Sequence, residues 1–248
     1  DDPPRGVALR LQGAHGVSPA PVVMNYARIQ AELAPHGLMA CGGHVFGRGD
    51  EAPAGKSGNP AAAIVLIGHA GSGFWPHFAE WRKGQEPGLT DPLDQWSKSV
   101  IGAVAEAFGL RAVFPSDKPW LPFQQWAMLA QGTRPSPLGL LIHPRYGLWQ
   151  AFRGAIVLEK VPKDLPGPLG MAHPCDTCAD RPCLRACPVG AFDEQGYDVA
   201  SCRSHVTGPE GGTCRSGGCL ARLACPVGRE FAYLPEQQAF HMRAFSSG

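Results

Sequence analysis

Eight of the nine cysteines fall between residues 175 and 225, and their spacing constrains the fold more than any other feature of the chain. Cys175, Cys178, Cys183 and Cys187 read C-x2-C-x4-C-x3-C, and Pro188 follows. Gaps this short let three thiolates wrap one inorganic centre from a single loop, while the proline turns the chain so that the fourth sulfur faces elsewhere. A second group, Cys202, Cys214, Cys219 and Cys225, is spaced C-x11-C-x4-C-x5-C and also ends at a proline. The endings ACPVGAF and ACPVGREF mark an internal repeat.

The x4 and x3 gaps with two Cys-Pro endings favour a pair of [4Fe–4S] clusters, although the bacterial ferredoxin run has a middle gap shorter by two. Structural zinc, which also takes paired cysteines, and a disulfide framework, which belongs to small secreted domains, remain as alternatives. In two-cluster ferredoxins the cysteine before each proline serves the other cluster. Carried over, that pattern implies Cys175, Cys178, Cys183 and Cys225 for one cluster and Cys202, Cys214, Cys219 and Cys187 for the other. Iron would then be part of the folding of this segment. Cys41 stands apart in an apolar run and reads as a buried thiol.

Twenty-two basic against 21 acidic residues leave a net charge of +1. That balance gives no electrostatic footprint for nucleic acid or an anionic membrane. The longest apolar stretch, AAAIVLIG at 61–68, is far short of the roughly 20 residues of a membrane span, and residues 1–23 carry no apolar block of the export-signal kind. A soluble, cytoplasmic protein is expected. Thirty-two glycines and 25 prolines are scattered among apolar segments and imply tight turns rather than a low-complexity tract.

Upstream of the cysteines the pattern predicts an α+β domain. Met24, Tyr26, Ile29 and Leu33 fall at helical spacing over 24–34, and LMACGGHVF at 38–46 and AAAIVLIG read as strands joined by the turn-rich loop 47–60. Asp91 as N-cap and Pro92 at the first helical position open a helix. Its apolar stripe is Leu93, Trp96, Val100, Val104 and Phe108. RAVF at 111–114, LGLLIH at 138–143 and GAIVLE at 154–159 predict further strands, with a short helix over 122–130. The segment PKDLPGPLG then marks a boundary, giving parts 1–160 and 161–248.

The stretch WAMLAQGTRPSPLGLLIHPRYGLWQAFRGAIVLEKV followed by CDTCADRPCLRACPVGAF resembles epoxyqueuosine reductases and reductive dehalogenases, over roughly residues 95–235. The resemblance implies a nitroreductase-like α/β sandwich holding a cobalamin, followed by a small dicluster ferredoxin-like domain that delivers electrons to it. It implies an oxidoreductase with a corrinoid or small-molecule substrate and an electron donor such as a ferredoxin, flavodoxin or reductase. FMN is the alternative cofactor, and a plain electron carrier the alternative function. Asp117 is the nearest counterpart of the family's proton donor. The family's glycine- and lysine-bearing loop appears here as GTRPSPLG, and the helical repeats that contact tRNA in the larger enzyme have no counterpart, so nucleic acid is not expected as a partner.

Further cofactor contacts are expected in two places. Gly68, His69, Gly71 and Gly73 form a strand-to-helix turn whose N–H groups suit a phosphate, with tight-turn packing as the alternative. His143, Arg145 and Tyr146 follow a predicted strand and are placed to face a cofactor or solvent. Trp75, Trp81, Trp120, Trp126 and Trp149 either shield a flat cofactor or fill the core.

Overall fold

The computed structural model describes residues 25–193 and 196–247. Met24, expected on the first helix, and residues 1–23, expected to carry no export signal, lie outside them. Helix α1 (Tyr26–Leu33) starts at Asn25, whose side chain accepts from Arg28 N at 2.9 Å, and buries Ile29 and Leu33. Strands β1 (Met39–Val45) and β2 (Ala63–Ala70) are the two apolar runs, joined by a largely exposed loop. Helix α2 (Trp75–Lys83) and α3 (Pro92–Ala107) follow, then β3 (Arg111–Val113) and α4 (Phe123–Gln131). A small hairpin of β4 (Arg134–Pro135) and β5 (Leu141–Ile142) leads into β6 (Gln150–Leu158).

The main sheet has the order β1-β2-β6-β3 with every neighbouring pair antiparallel. One face carries α1, α2 and α3 over a core that includes Leu33, Val65, Ile67, Phe78, Trp96, Ile101 and Ile156. The other carries α4 over Ile64, Leu66, Trp126, Ala155 and Val157. Side chains alternate between faces along a strand, so the unbroken apolar run of β2 supplies both cores. The molecule is thus mixed α+β with open sheets.

Several local expectations change. Asp91 sits in the left-handed region at φ 46° and its side chain makes no cap; its carbonyl instead accepts from Asp94 N and Gln95 N. Ile101 rather than Val100 is fully buried on α3, because the stripe rotates toward Leu93, Trp96 and Val104. LGLLIH shrinks to the two residues of β5, which pair only with β4, since Gly139 turns the chain at φ 74°. Strand β6 begins four residues earlier than GAIVLE, because pairing with the second half of β2 holds Gln150–Arg153 in place. Strand β3 pairs with Ala155–Val157, so among the described residues no strand flanks the first half of β6 on that side.

Beyond β6 come α5 (Pro182–Arg185), a hairpin of β7 (Phe192–Asp193) and β8 (Gly196–Tyr197), and α6 (Val199–Thr207). The last elements are α7 (Gly212–Gly217), α8 (Leu220–Leu223) and α9 (Pro235–Ser247). Helix α9 lies along α7 and α6 and also reaches the first core: Phe240 meets Trp75 and Phe78 with ring centroids 5.4 and 5.5 Å apart. Leu234 N donates to Ser72 Oγ at 2.9 Å just ahead of it.

Candidate functional site

The eight clustered cysteines separate into two quartets. Cys175, in a tight turn over Pro174–Thr177, Cys178, Cys183 on α5 and Cys225 after α8 line one narrow cavity, walled by Ile142, Leu148 and Val227. Cys187, Cys202 on α6, Cys214 on α7 and Cys219 line a second, larger one. Each quartet therefore takes its fourth sulfur from the other repeat. Leu148 lines both cavities and stands between them.

The donor chemistry of each quartet suits a multi-iron core. Burial raises the Cys175 thiol to about 11, helped by the neighbouring Cys225, Cys183 and Cys178. Burial likewise raises Cys214 and Cys219, with the sulfurs around them adding to it. Thiolates gathered this way repel one another until a cationic centre sits among them. A single zinc, with Zn–S near 2.3 Å, would draw the sulfurs to within roughly 4 Å of each other. Among the described residues no three His, Cys, Asp or Glu side chains converge on one ion position in that way, and all nine cysteines are free thiols. The backbone N–H of Ala191 donates to Cys187 Sγ at 3.4 Å.

The second cavity, about 730 Å3, runs on from its quartet to the main sheet and opens to solvent. Its floor is Gln150–Arg153 at the start of β6; Leu138–Leu141 and α9, through His241, Met242 and Phe245, form its sides. Arg153, Arg222, His205 and His241 line it, with no aspartate or glutamate among the described residues. Arg222 is fixed by two bonds to the Leu148 carbonyl, at 3.1 and 2.5 Å, and by the faces of Trp149 and Tyr233, 4.4 and 4.5 Å from its guanidinium carbon. Arg153 bonds Ser97 Oγ at 3.0 Å and pairs with Asp94 on α3. Burial, with Arg222 and Arg153 nearby, lowers His241 to about 4, so its imidazole is neutral at pH 7, and its Nε2 is buried with no hydrogen-bond partner among the described residues. Sequence reading missed Arg153, Arg222, Tyr233 and His241. Arg222 lies three residues after a cysteine, but only the fold brings the other three to the cavity.

The segment His143–Tyr146 serves the junction between the sheet and the cysteine-bearing part. His143 Nδ1 accepts from Arg145 N at 3.1 Å and Tyr146 N at 3.2 Å, which fixes its proton on Nε2, and its ring stacks on Tyr146 at 4.5 Å. Burial, then Arg145, lowers His143 to about 4. Arg145 lies over the Tyr146 and Phe231 rings. At Gly147, φ 57°, an added Cβ would stand 1.9 Å from the Val227 carbonyl oxygen in the second Cys-Pro-Val-Gly ending. Gly147→Ala is expected to cost roughly 2–4 kcal/mol through overpacking and left-handed strain, read as a lower denaturant midpoint with an unchanged m-value.

The glycine turn after β2 is filled by protein. An added Cβ on Gly68 would stand 2.1 Å from the Ala151 carbonyl oxygen, and one on Gly71 would stand 3.2 Å from that of Phe231. His69 is buried, donates from Nδ1 to the Gly71 carbonyl at 3.0 Å, and lies between Phe74 and Tyr233. Neither this turn with Gly73 nor His143, Arg145 and Tyr146 lines the large cavity. Asp117 accepts from Phe114 N at 2.9 Å and pairs with Lys98 at 3.0 Å; it too is absent from the cavity wall. Among the tryptophans, Trp75, Trp96, Trp126 and Trp149 are core and Trp120 is 76% exposed.

No protein-family model matches the chain, and no curated protein does. Among solved structures, the epoxyqueuosine reductase of Streptococcus thermophilus superposes with a TM-score of 0.45 at 14% identity, over 84% of this chain and 67% of that one. The epoxyqueuosine reductase of Bacillus subtilis gives 0.42 at 18% identity, over 72% of this chain and 52% of that one. The chain thus spans about two thirds of one neighbour and about half of the other. Likeness at this level leaves function to the chemistry of the site. Among the described residues no helix is long and apolar enough to cross a membrane.

Proposed function

We propose that the chain is an iron–sulfur reductase in which each cysteine quartet holds a [4Fe–4S] cluster and the second cluster faces a cofactor or substrate in the large cavity. One observation supports this reading: Cys225 lines a cavity with Cys175, Cys178 and Cys183, Cys187 lines one with Cys202, Cys214 and Cys219, and among the described residues it is the latter cavity that reaches the main sheet. Electrons then enter at the first quartet, pass Leu148 to the second, and leave into the cavity. The division near residue 160, a nitroreductase-like sandwich followed by a ferredoxin-like module, and a cytoplasmic setting belong to the same proposal.

The cavity suits a flat ligand with an anionic tail. Its walls are mostly apolar, and the charged side chains that line it among the described residues are arginines, of which Arg153 already pairs with Asp94 and Arg222 carries no carboxylate partner there. A corrinoid, the cofactor implied by the sequence resemblance, would supply one-electron metal chemistry there, with Arg153 and Arg222 placed to hold acidic groups and the neutral His241 placed to contact the ring. FMN is a second reading that the size favours, because about 730 Å3 falls among pockets that enclose a drug-sized ligand, whereas a corrinoid would also use the open mouth. The partners are an electron donor and a small molecule. The expectation of no nucleic-acid partner does not extend to this cavity: a net charge of +1 speaks to extended surfaces, not to whether the cavity ligand is part of a larger molecule.

Anaerobic reconstitution followed by iron and sulfide analysis should give about eight irons per chain. Titration of that protein with cobalamin, and separately with FMN, should shift the visible spectrum of one of them at stoichiometric ratio. Eight irons with no response to either ligand would leave a plain electron carrier.

A further inference from the structure

We propose that Arg222 serves two anions at once, the second cluster and the acidic group of the cavity ligand, so that ligand binding and reduction of that cluster oppose one another. This rests on the cluster reading above. One helical turn carries the residue: Cys219 is the N-cap of α8, Arg222 follows within the helix, and Cys225 N donates to the Arg222 carbonyl at 3.2 Å. Cys219 lines the cavity of the second quartet and Cys225 that of the first, so Arg222 lies on the short segment that joins the two. Its Nε and one Nη donate to the Leu148 carbonyl, which leaves the remaining guanidinium donors to the large cavity it lines. Trp149 and Tyr233, both buried, cover the guanidinium and keep water from it, so its charge is screened less than one in open solvent. Arg153 differs: Asp94 balances its charge, whereas Arg222 has no carboxylate partner among the described residues.

Reduction brings one electron from an outside donor to the second cluster, with no bond made or broken. The added negative charge is stabilised by the Arg222 cation. An anion seated on the guanidinium cancels part of that cation and lowers the potential of the cluster. By linkage, reduction weakens the hold on the anion by the same factor. A seated ligand thereby makes the cluster a stronger donor toward itself.

The test is an EPR-monitored redox titration of the anaerobically reconstituted full chain, with and without 2-naphthalenesulfonate, a flat and redox-silent anion, at constant ionic strength. The wave of the second cluster is the one missing in Cys202→Ser. The probe should lower that wave by about 59 mV, equivalent to about tenfold weaker binding to the reduced protein, and leave the other wave in place. Arg222→Met, which keeps an unbranched stem between the two rings, should lower the same wave without the probe and abolish the probe's effect. No probe shift in the unsubstituted protein, or a shift that persists in Arg222→Met, overturns the proposal while leaving the clusters intact. Should Arg222→Met hold fewer than about eight irons, Arg222→Lys, which keeps the charge and loses the fork on Leu148, should diminish the probe's shift. An undiminished shift in that variant also overturns it. A protein without iron in its unsubstituted form overturns the cluster reading itself.

Discussion

Replacing Cys225 with serine is expected to abolish the cluster bound by the first repeat, although Cys225 belongs to the second. Cys187→Ser should do the converse. Each variant should fall from about eight irons to about four, and the two should lose different EPR signals. The direction of the swap makes the result diagnostic. Cys225 lines the cavity of Cys175, Cys178 and Cys183, whereas Cys187 lines that of Cys202, Cys214 and Cys219. If Cys225→Ser instead removed the signal lost in Cys202→Ser, each repeat would ligate its own cluster and the exchanged arrangement would be wrong. Sulfur lost from either quartet also loosens packing, because Cys183 and Cys225 share a core with Leu138, Ile142, Leu148, Phe192 and Ala221.

Acid is expected to destabilise the protein well above the range in which carboxylates titrate. Three histidines sit where burial holds them below the ordinary 6.5: His69 at about 3, and His143 and His241 at about 4. The folded chain binds these protons more weakly than the unfolded chain does. Their contribution is therefore complete above pH 6.5 and is lost as the pH falls through the folded values. Each tenfold weakening of proton binding is worth about 1.4 kcal/mol, so the three together set an upper bound on the order of 10 kcal/mol, only part of which is lost by about pH 4.5. Denaturant titrations between about pH 7 and pH 4.5 should show a falling unfolding free energy, with a shallower slope in His143→Asn, whose side-chain oxygen still accepts from the turn. Equal slopes in the two proteins would rule out His143 as a contributor.

Much of the frame was legible in the sequence because its signals are local. The apolar runs at 38–46 and 61–68, the Pro92 helix start and the helix over 122–130 all depend on short-range pattern, and each appears near its expected place. The strand over 138–143 failed because a single glycine reverses the chain there, and the early start of β6 was invisible because β2, about 80 residues away, holds it in place. The cysteines were legible through their repeat. The cavity was not, since Gln150–Arg153, Arg222, Tyr233 and His241 come from separate segments and carry no shared motif. His143 and Tyr146 drew attention as polar residues after a strand, yet their hydrogen bonds and ring contacts serve a turn.

The position of Phe240 on α9 bears on biosynthesis. Its ring, with Arg82 above it, closes over Trp75 and Phe78, which were translated some 160 residues before it. The sheet-bearing half therefore leaves the ribosome with an aromatic face still bare, and nascent chains would hold that face open until the final helix emerges.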